Sequence, residues 1–518
     1  MLVPNRFHRA LPLVVLVAVG LFLFAAIRLR HASAVESTLY HVINGGDKPA
    51  PTNHATPATP ATPAESAASP STSPAPKEPA RLDLAPNQCR PEVELLRDRT
   101  LGLSDTIRYS RKCVEPVLAS DTDRDAVTKL NTSLIPAQAA SINLTSCTYD
   151  ELPPCETISL QVPKPYPSAQ YPHLVFGIST SYERVNDSLP AFAHWLKGSG
   201  SKLVAVVVDA EKEGEPAKDL RALEKLYRAQ DVELKAVVPR NKTLKVDQNH
   251  FAMLADVVEA ADNQTRWLGI LDDDTFFPSL YTLSEALDRF DHTKSMWLGQ
   301  LSEDFEAMHS WGFMAFGGAG AFLSMSLANE LVPHIPRCLV EARLQTGDCI
   351  LRDCIYDHTR TKLTLVPGLY QHDFMGDVSG FYEAGLSPLS LHHWKSWYRA
   401  PVARMAKAAH FCGACFLQRF QFGSDTLLAN GYSITQYAKG LQEYDLMRME
   451  QTWQNPGPKF EYYIGPLRDK IDQQDKKSWR LVDSGPLASG GGLRQVYVHK
   501  GDEELEEPDD VIEMIWEG

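Results

Sequence analysis

The sequence predicts an α/β fold in which a mostly parallel sheet carries helices on both faces. Short apolar runs alternate with amphipathic segments through the middle of the chain, a pattern typical of βαβ units. An N-terminal apolar run predicts a transmembrane helix. Alternating aromatic and apolar segments after residue 400 predict a small β-rich appendage. With 518 residues, the chain is long enough for about two to four domains.

The first thirty residues predict a membrane anchor. Residues 10–27 are apolar and uncharged, with two arginines shortly before them and two shortly after. A helix of this length covers about 27 Å, close to the hydrocarbon thickness of a thin membrane. A cleaved signal peptide is the alternative, but its apolar region is usually only about 7–15 residues long. We therefore expect a cytoplasmic tail at 1–9, a signal-anchor at 10–28 and a lumenal remainder.

Residues 29–88 predict an extended stem. The part from 47 to 88 is rich in Pro, Ala, Ser and Thr and has no periodic large apolar residues. Such a segment cannot bury enough surface to offset the entropy cost of ordering it. Stems of this composition are often O-glycosylated.

Sequons and cysteines favour a lumenal position for the rest of the chain. The five Asn-x-Ser/Thr sequons are at Asn131, Asn143, Asn186, Asn241 and Asn263. In an oxidising compartment most of the nine cysteines would form disulfides, and the odd total would leave at least one over. Cys412 and Cys415 form a C-x-x-C pair with only His410 beside it, which favours a disulfide over a zinc site. Four cysteines mark an N-terminal lumenal region at 89–165.

The charge balance argues against nucleic acid as a partner. Lys and Arg total 51 against 65 Asp and Glu, a net charge of −14. Proteins that bind a phosphate backbone usually have a basic surplus. The last eighteen residues hold nine acids and no base, which predicts a solvated acidic tail at the end of a 401–518 extension.

The elements of a central domain at 166–400 follow from its apolar runs. Strands are predicted at 173–179, 202–209, 232–238, 267–271 and 296–300, and helices at 188–195, 218–230 and 250–261. Ligands of such sheets bind beyond the carboxyl ends of the strands. The fourth strand runs directly into Asp272, Asp273 and Asp274 at that edge.

Three adjacent carboxylates at the end of a buried strand repel one another unless a cation binds. In an extended chain Asp272 and Asp274 lie on the same side, a spacing that suits Mn²⁺ or Mg²⁺ holding a diphosphate. The alternative is a solvated turn before the next helix, with Thr275 as the cap and Pro278 in the first turn. The position after a buried strand favours the metal.

Further residues suggest contacts to a nucleotide. Gly317, Gly318 and Gly320 lie between apolar segments and permit the close approach of a ligand, although a tight turn explains them equally well. They lack the lysine of a P-loop and the spacing of a dinucleotide fingerprint. Asp209 after the second strand is a candidate nucleotide contact, and Arg184 after the first is a candidate diphosphate contact. Both residues are equally typical of ordinary loops.

Six blocks of sequence together resemble the fringe-like branch of the β-1,3-glycosyltransferases. Across about residues 171–395 they read WLGILDDDTFFP, WLGQLSED, FMAFGGAGAFLS, GDCILRDC, VPGLYQHD and SPLSLHHW. The resemblance implies a single-pass type II Golgi membrane enzyme with a nucleotide-diphospho-sugar transferase (GT-A) fold, whose catalytic domain is 166–400. It also implies metal-dependent, inverting transfer from a UDP-sugar to a glycan or glycoprotein acceptor, with a β-1,3 linkage.

The resemblance also implies roles for the metal site. Asp274 matches the direct ligand of a Mn²⁺ or Mg²⁺ ion, and Asp272, with Asp273, faces the donor nucleotide. His392 or His393 matches the metal-ligand histidine near the end of the domain, and we favour His392. A buried, hydrogen-bonded imidazole is the alternative for whichever histidine is not the ligand.

Asp348 matches the catalytic base of the family. Its neighbours Gly347 and Cys349 depart from the family pattern, which has a second acid there. Other candidate bases are Asp353, Asp373 and Asp377. The altered surroundings of Asp348 also leave an alternative function: a catalytically silent lumenal protein on the same fold that binds glycans or assists an active partner.

Overall fold

The structure is a computed structural model that describes residues 89–149, 151–454, 462, 464–488 and 490–518. The predicted cytoplasmic tail, signal-anchor and stem, residues 1–88, lie outside these residues. None of the helices among the described residues is long and apolar enough to cross a membrane.

The described residues contain nineteen strands. In chain order they are β1 (Thr106–Leu118), β2 (Thr128–Leu130), β3 (Ala140–Asn143), β4 (Glu156–Val162), β5 (Leu174–Thr180), β6 (Lys202–Val207), β7 (Glu233–Val237), β8 (Trp267–Leu271), β9 (Trp297–Gly299), β10 (Ala321–Ser324), β11 (Leu363–Leu365), β12 (Arg419–Phe422), β13 (Thr426–Ala429), β14 (Ser433–Tyr437), β15 (Met449–Glu450), β16 (Leu467–Arg468), β17 (Lys476–Pro486), β18 (Leu493–His499) and β19 (Asp509–Trp516).

Fourteen α-helices accompany the strands in the described part of the chain. They are α1 (Pro91–Glu94), α2 (Tyr182–Asp187), α3 (Leu189–Leu196), α4 (Leu220–Arg228), α5 (Val246–Ala252), α6 (Leu254–Ala260), α7 (Leu280–Leu287), α8 (Phe305–Trp311), α9 (Met325–Leu331), α10 (Ile335–Glu341), α11 (Gly347–His358), α12 (Ser379–Glu383), α13 (Val402–Met405) and α14 (Lys407–Cys412). Short 3₁₀ turns occupy Leu95–Arg97, Arg99–Leu101, Val332–His334, Gly413–Cys415, Leu441–Glu443 and Gln473–Asp475.

A seven-stranded sheet in the order β11-β9-β10-β8-β5-β6-β7 forms the centre of the α/β region. Strands β8, β5, β6 and β7 run parallel, as the βαβ pattern predicts. Strand β10 lies antiparallel between β8 and β9, and β11 is parallel to β9. Four of the six pairings are therefore parallel, which confirms a mostly parallel sheet.

Helices cover both faces of this sheet. Every residue of β5 and β8 is buried, so these strands read as continuous apolar runs rather than as an alternation. Along β5, Leu174, Phe176 and Ile178 face the core beneath α3, α4 and α7, whereas Val175 faces the core beneath α6, α9 and α11. Each fully buried side chain of this size contributes about 1.5–3 kcal/mol to stability. The packing on both faces holds the strands in place and so positions the residues that follow their carboxyl ends.

A ten-stranded sheet accounts for most of the remaining strands. Its order is β2-β12-β13-β14-β17-β18-β19-β1-β3, and β4 pairs with β1. The C-terminal strands thus share one sheet with strands of the cysteine-containing region at 89–165, which makes the β-rich part larger than the small appendage that the sequence predicts. Val114 and Leu160 of this sheet belong to the same apolar core as Phe176 of the α/β sheet.

The prediction of a solvated acidic tail is wrong for residues 509–516. They form β19, which is almost entirely buried and lies between β18 and the parallel β1. Residues 502–508 form an exposed acidic turn, and Glu517 and Gly518 are exposed after the strand. Val511, Ile512, Met514 and Trp516 supply the apolar surface that buries the strand, and counting acids alone missed them.

The cysteine pattern is confirmed. Disulfides join Cys89 to Cys147, Cys113 to Cys155, Cys338 to Cys354 and Cys412 to Cys415. The ninth cysteine, Cys349, is buried and free. The C-x-x-C pair is therefore a disulfide, as the absence of a second nearby ligand pair indicates.

Candidate functional site

The acidic triplet lies in a cleft of about 470 Å³ at the carboxyl edge of the parallel strands. The walls come from the ends of β5 and β8, from α5, from the first residues of α11 and from the segment around residue 392. The lining residues are Ser179, Thr180, Ser181, Arg184, Val208, Val246, Asp247, His250, Asp272, Asp273, Asp274, Thr346, Gly347, Asp348, His392, His393 and Ser396. Most of the residues predicted from the sequence thus come together here.

The side chains of the three aspartates point in two directions, as the alternation along an extended chain predicts. Asp272 and Asp274 both approach the imidazole of His392, while Asp273 turns to another partner. The Asp273 carboxylate accepts hydrogen bonds from the guanidinium of Arg184, with Nε 2.5 Å from Oδ2, and from the hydroxyl of Thr180. Asp273 therefore anchors the cleft wall and fixes Arg184, whose side chain stays 51% exposed at the rim.

His392 is almost fully buried and is oriented by the backbone. Its Nδ1 lies 2.8 Å from the carbonyl oxygen of Gln371, so this nitrogen donates a hydrogen bond. Its Nε2 lies 3.0 Å from Asp274 Oδ1 and 3.3 Å from Asp272 Oδ2. Burial opposes the charged imidazole, but the two carboxylates outweigh burial and raise the pKa of His392 well above its usual value. A cation in this position would replace the proton on Nε2.

His393 lies beside the same carboxylates. Its ring is 3.7 Å from the ring of His392 and stacks on Trp397, and its Nε2 is 3.2 Å from Asp373 Oδ1. Ligand atoms of Asp274, His392 and His393 all lie within 4.8 Å of one another. Both histidines of the predicted pair can therefore reach an ion held by Asp274, although the bond to Gln371 orients His392 more firmly.

Asp348 enters the cleft from the first turn of α11. Its Oδ2 accepts a hydrogen bond of 2.8 Å from Gly317 N, while Oδ1 has no hydrogen-bond partner among the described residues. Burial, partly offset by His250, raises the pKa of Asp348 to about 6. A carboxyl group of this kind, poised near neutrality with one free oxygen, suits proton transfer.

His250 on α5 is a site residue that the sequence reasoning missed. Its Nε2 lies 3.1 Å from Asp272 Oδ1 and its Nδ1 lies 3.9 Å from Asp348 Oδ1, so it lies between the two carboxylates. Burial opposes its charged form, but Asp272 and Asp348 raise the pKa of His250 to about 9. The feature of the sequence that indicates a site residue here is its position on the first helix after β7, near the sheet edge where ligands bind.

The glycines permit close packing around these side chains. A Cβ on Gly318 would lie 2.2 Å from the His392 ring, and one on Gly317 would lie 2.7 Å from Asp348 Oδ1. A Cβ on Gly347 would lie 2.3 Å from His250 Nδ1. The close approach predicted at Gly317 and Gly318 is thus made by site side chains. Gly347 gives α11 room to bring Asp348 against His250.

Three other predicted residues have structural partners outside the cleft. Asp209 accepts a hydrogen bond of 2.8 Å from Tyr182 N and so caps α2. Asp353 is buried against Arg352 and the backbone N of Arg343. Asp377 binds Ser379 N near the start of α12. None of these three lines the cleft.

The interpretation of the triplet as a helix cap is wrong. Helix α7 begins at Leu280 with Ser279 as its cap. Thr275 instead donates a hydrogen bond of 3.0 Å to the carbonyl oxygen of Gly318. The triplet therefore has no role in starting that helix.

Comparisons with known proteins give limited likeness. Residues 305–461 match the model of a family described as a protein of unknown function, DUF604. No curated protein matches the chain. Among solved structures, the chain is similar to apo mouse xyloside xylosyltransferase 1, with 9% identity and a TM-score of 0.25 over 37% of this chain and 84% of that one.

Two further solved structures are similar to a comparable degree. The glycosyltransferase GlyE of Streptococcus pneumoniae TIGR4 has 10% identity and a TM-score of 0.26, over 38% of this chain and 45% of that one. The galactosyltransferase LgtC, solved with donor and acceptor sugar analogs, has 8% identity and a TM-score of 0.26, over 44% of this chain and 81% of that one. At these TM-scores, the function has to be inferred from the site itself.

Proposed function

We propose that this chain is a metal-dependent, inverting glycosyltransferase of the nucleotide-diphospho-sugar transferase (GT-A) type. It would move a sugar from a UDP-sugar to a hydroxyl of a glycan or glycoprotein. The observation that carries this proposal is the convergence of Asp272 and Asp274 on His392 Nε2, within 3.3 Å, in a cleft that also holds Asp348. Ligands of open parallel sheets bind beyond the carboxyl ends of the strands, which is where these carboxylates lie.

The residues present fit a hard divalent ion. Asp274 and His392 would hold Mn²⁺ or Mg²⁺, with Asp272 and His393 close enough to contribute. Carboxylate oxygens and one imidazole nitrogen suit such an ion, and the bond from Nδ1 to Gln371 fixes the ring in the tautomer that leaves Nε2 free to bind. Bound there, the ion would stabilise the negative charge that develops on the diphosphate.

Arg184, which lines the cleft, and Lys395, which lies behind the Asp273 backbone, support the placement of an anionic group there. The Arg184 side chain is half exposed while its guanidinium stays fixed by Asp273. The Lys395 ammonium donates to the hydroxyl of Ser188 and lies 3.4 Å from the backbone oxygen of Asp273. Two cations held beside a metal site suit a diphosphate.

Asp348 is proposed as the base. An acceptor hydroxyl is a poor nucleophile at neutral pH, so a carboxylate has to accept its proton as the new bond forms. The oxygen of the acceptor attacks the anomeric carbon, the bond to the diphosphate breaks, and UDP leaves with the electron pair. A single displacement of this kind inverts the anomeric centre and needs no covalent intermediate on the protein.

The proposal extends to location and linkage. Four disulfides support an oxidising compartment, and the apolar run at 10–27 supports a single-pass anchor in the Golgi membrane with the sheet domain in the lumen. The β-1,3 linkage rests on the resemblance to fringe-like enzymes. We infer no nucleic-acid partner, given the net charge of −14.

The test measures UDP release by the full-length protein with a panel of UDP-sugars and a mixed glycan acceptor. We expect turnover with Mn²⁺ and at least one donor, and loss of turnover when EDTA removes the ion. Asp348→Asn should lower the rate strongly, whereas Asp377→Asn, a matched change outside the cleft, should not. Binding of UDP without any release above buffer would instead support the catalytically silent alternative.

A further inference from the structure

A second cavity of about 390 Å³ adjoins the cleft. The two share Thr346, Asp348 and His393 as lining residues, so Asp348 faces both. The second cavity extends from there along α8 to Trp311 and Trp397. A molecule that occupied it would have the Asp348 carboxylate at one end and a ligand of the first cleft beyond it.

Two tryptophans give the cavity broad apolar surface. Trp311 at the end of α8 is 42% exposed, and Trp397 is 41% exposed. One face of Trp397 is covered by the ring of His393, 4.1 Å away and nearly parallel to it. Its exposure therefore comes from the other face and the edges. Exposed indoles beside polar groups suit the apolar C–H face of a sugar ring.

Carboxyl groups dominate the titratable side chains among the described lining residues of this cavity. Four carboxyl groups line it, those of Asp304, Glu306, Asp348 and Asp373, and no Lys or Arg is among its described lining residues. The first cleft differs, because Arg184 lines it beside the candidate metal site. A carboxylate, sulfate or phosphate on a ligand of the second cavity would meet repulsion, with no Lys or Arg among the described lining residues to offset it.

We propose that the second cavity binds the acceptor and selects a neutral sugar over an anionic one. This inference rests on the proposed function, since it makes the cavity the acceptor side of the same active site. The acceptor ring packs against Trp311 and Trp397, its hydroxyls meet the acidic rim, and the attacking hydroxyl lies toward Asp348. The shared lining residues place that hydroxyl next to the donor.

Binding is tested directly, without turnover, on the full-length protein. Saturation-transfer NMR would compare methyl glycosides of neutral hexoses and N-acetylhexosamines with the methyl uronides of matching configuration, with and without UDP and Mn²⁺. We expect contact with at least one neutral glycoside and none with its uronide counterpart. Absence of binding by every neutral glycoside, or equal binding of the uronides, would overturn the proposal.

Two variants locate the binding. Trp311→Ala, which touches only the second cavity, should weaken the neutral glycoside roughly tenfold and leave UDP–Mn²⁺ affinity unchanged. Glu306→Lys should let the matching uronide bind, because it places a cation on the rim, whereas Glu285→Lys, the same charge change away from both cavities, should not. Wild-type glycoside binding in Trp311→Ala places the sugar elsewhere and rejects the cavity.

The outcomes separate the two proposals. Failure of UDP and Mn²⁺ to bind refutes the proposed function, while neutral glycoside binding that Trp311→Ala weakens still identifies a glycan site. Binding of UDP and Mn²⁺ together with wild-type glycoside affinity in Trp311→Ala leaves the transferase standing and refutes the acceptor cavity.

Discussion

Buried carboxylates of the ten-stranded sheet and those of the candidate site have different partners, with Asp273 and its Arg184 as the exception in the site. In the ten-stranded sheet and the elements packed on it, buried carboxylates have arginine or lysine partners: Glu513 with Arg494, Glu450 with Lys476 and Arg468, and Glu383 with Arg480. At the edge of the α/β sheet, Asp272, Asp274 and Asp348 form ion pairs only with imidazoles among the described residues.

This difference separates charges that stabilise the fold from charges that await a ligand. A buried carboxylate with a guanidinium partner is neutralised whether or not anything binds. The three carboxylates of the cleft share only two imidazoles, those of His250 and His392, so they are not fully compensated, and a divalent ion would supply the missing positive charge. Uncompensated charge in a cleft therefore indicates function in this molecule. Substitutions at the candidate site should mainly lower activity, whereas substitutions of paired charges in the ten-stranded sheet should mainly lower stability.

The largest contrast is expected for Asp274→Asn. It removes a proposed metal ligand, so kcat/KM should fall roughly 10³-fold. The free energy of unfolding should change by less than about 1 kcal/mol, because Asp272 stays beside His392 and the imidazole can release its proton. Steady-state kinetics and urea unfolding of the same preparation would measure both. A free energy of unfolding that falls far enough to account for the loss of kcat/KM would contradict the distinction between functional and stabilising charges.

Glu513→Gln should show the opposite behaviour. It removes the buried negative charge beside Arg494, which keeps only the longer ion pair to Asp483, and its single amide oxygen cannot replace both carboxylate oxygens that accept from Arg494 and Tyr109, so we expect destabilisation of about 3–5 kcal/mol. The kcat of the fraction that remains folded should match the wild type. Glu503→Gln, on the exposed turn, is the control and should leave the urea midpoint unchanged. A selective loss of kcat in Glu513→Gln would count against a purely structural role.

The same contrast explains how far the sequence could be read. Strands β5, β6, β7 and β8 were predictable because parallel buried strands are continuous apolar runs separated by helices. The ten-stranded sheet was not, because β1 pairs in parallel with β19, Ile107 opposite Asp509, near the other end of the chain. No local pattern in the sequence indicates a strand partner so far away along the chain. The acidic composition of the last residues therefore predicts a solvated tail where the structure has a buried strand.

The site was predictable where motif and sheet edge coincide. Asp272, Asp274, Asp348 and His392 lie together, as the resemblance implies. His250 carries no motif as a single histidine on an amphipathic helix, and its place in the site follows only from the approach of its ring to Asp272 and Asp348. The position of Asp209 after a strand predicts a ligand contact, but no spacing in the sequence indicates that its carboxylate accepts from the backbone N of Tyr182.

Manganese binding should stabilise the α/β edge specifically. An ion that binds only the folded state at 100 times its Kd adds about 2.7 kcal/mol to the free energy of unfolding. We expect this gain in the wild type and in Glu503→Gln, but not in Asp274→Asn. Urea unfolding with Mn²⁺ and with EDTA would measure it. An equal gain in Asp274→Asn would mean that the ion binds elsewhere.

The smallest expected effect is on the pH profile. Because burial raises the pKa of Asp348 to about 6, the carboxylate is the main form above that pH and the neutral acid below it. The base is needed as the carboxylate, so kcat/KM should be level above pH 7 and fall up to tenfold per pH unit below the inflection. A bound cation favours the carboxylate and would move the inflection below 6.

Circular dichroism over the same range is the control for unfolding, since the paired carboxylates of the ten-stranded sheet should keep the fold intact there. A flat profile down to pH 4 with the fold preserved would exclude Asp348 as the base and direct attention to Asp373, which lies in the adjoining cavity.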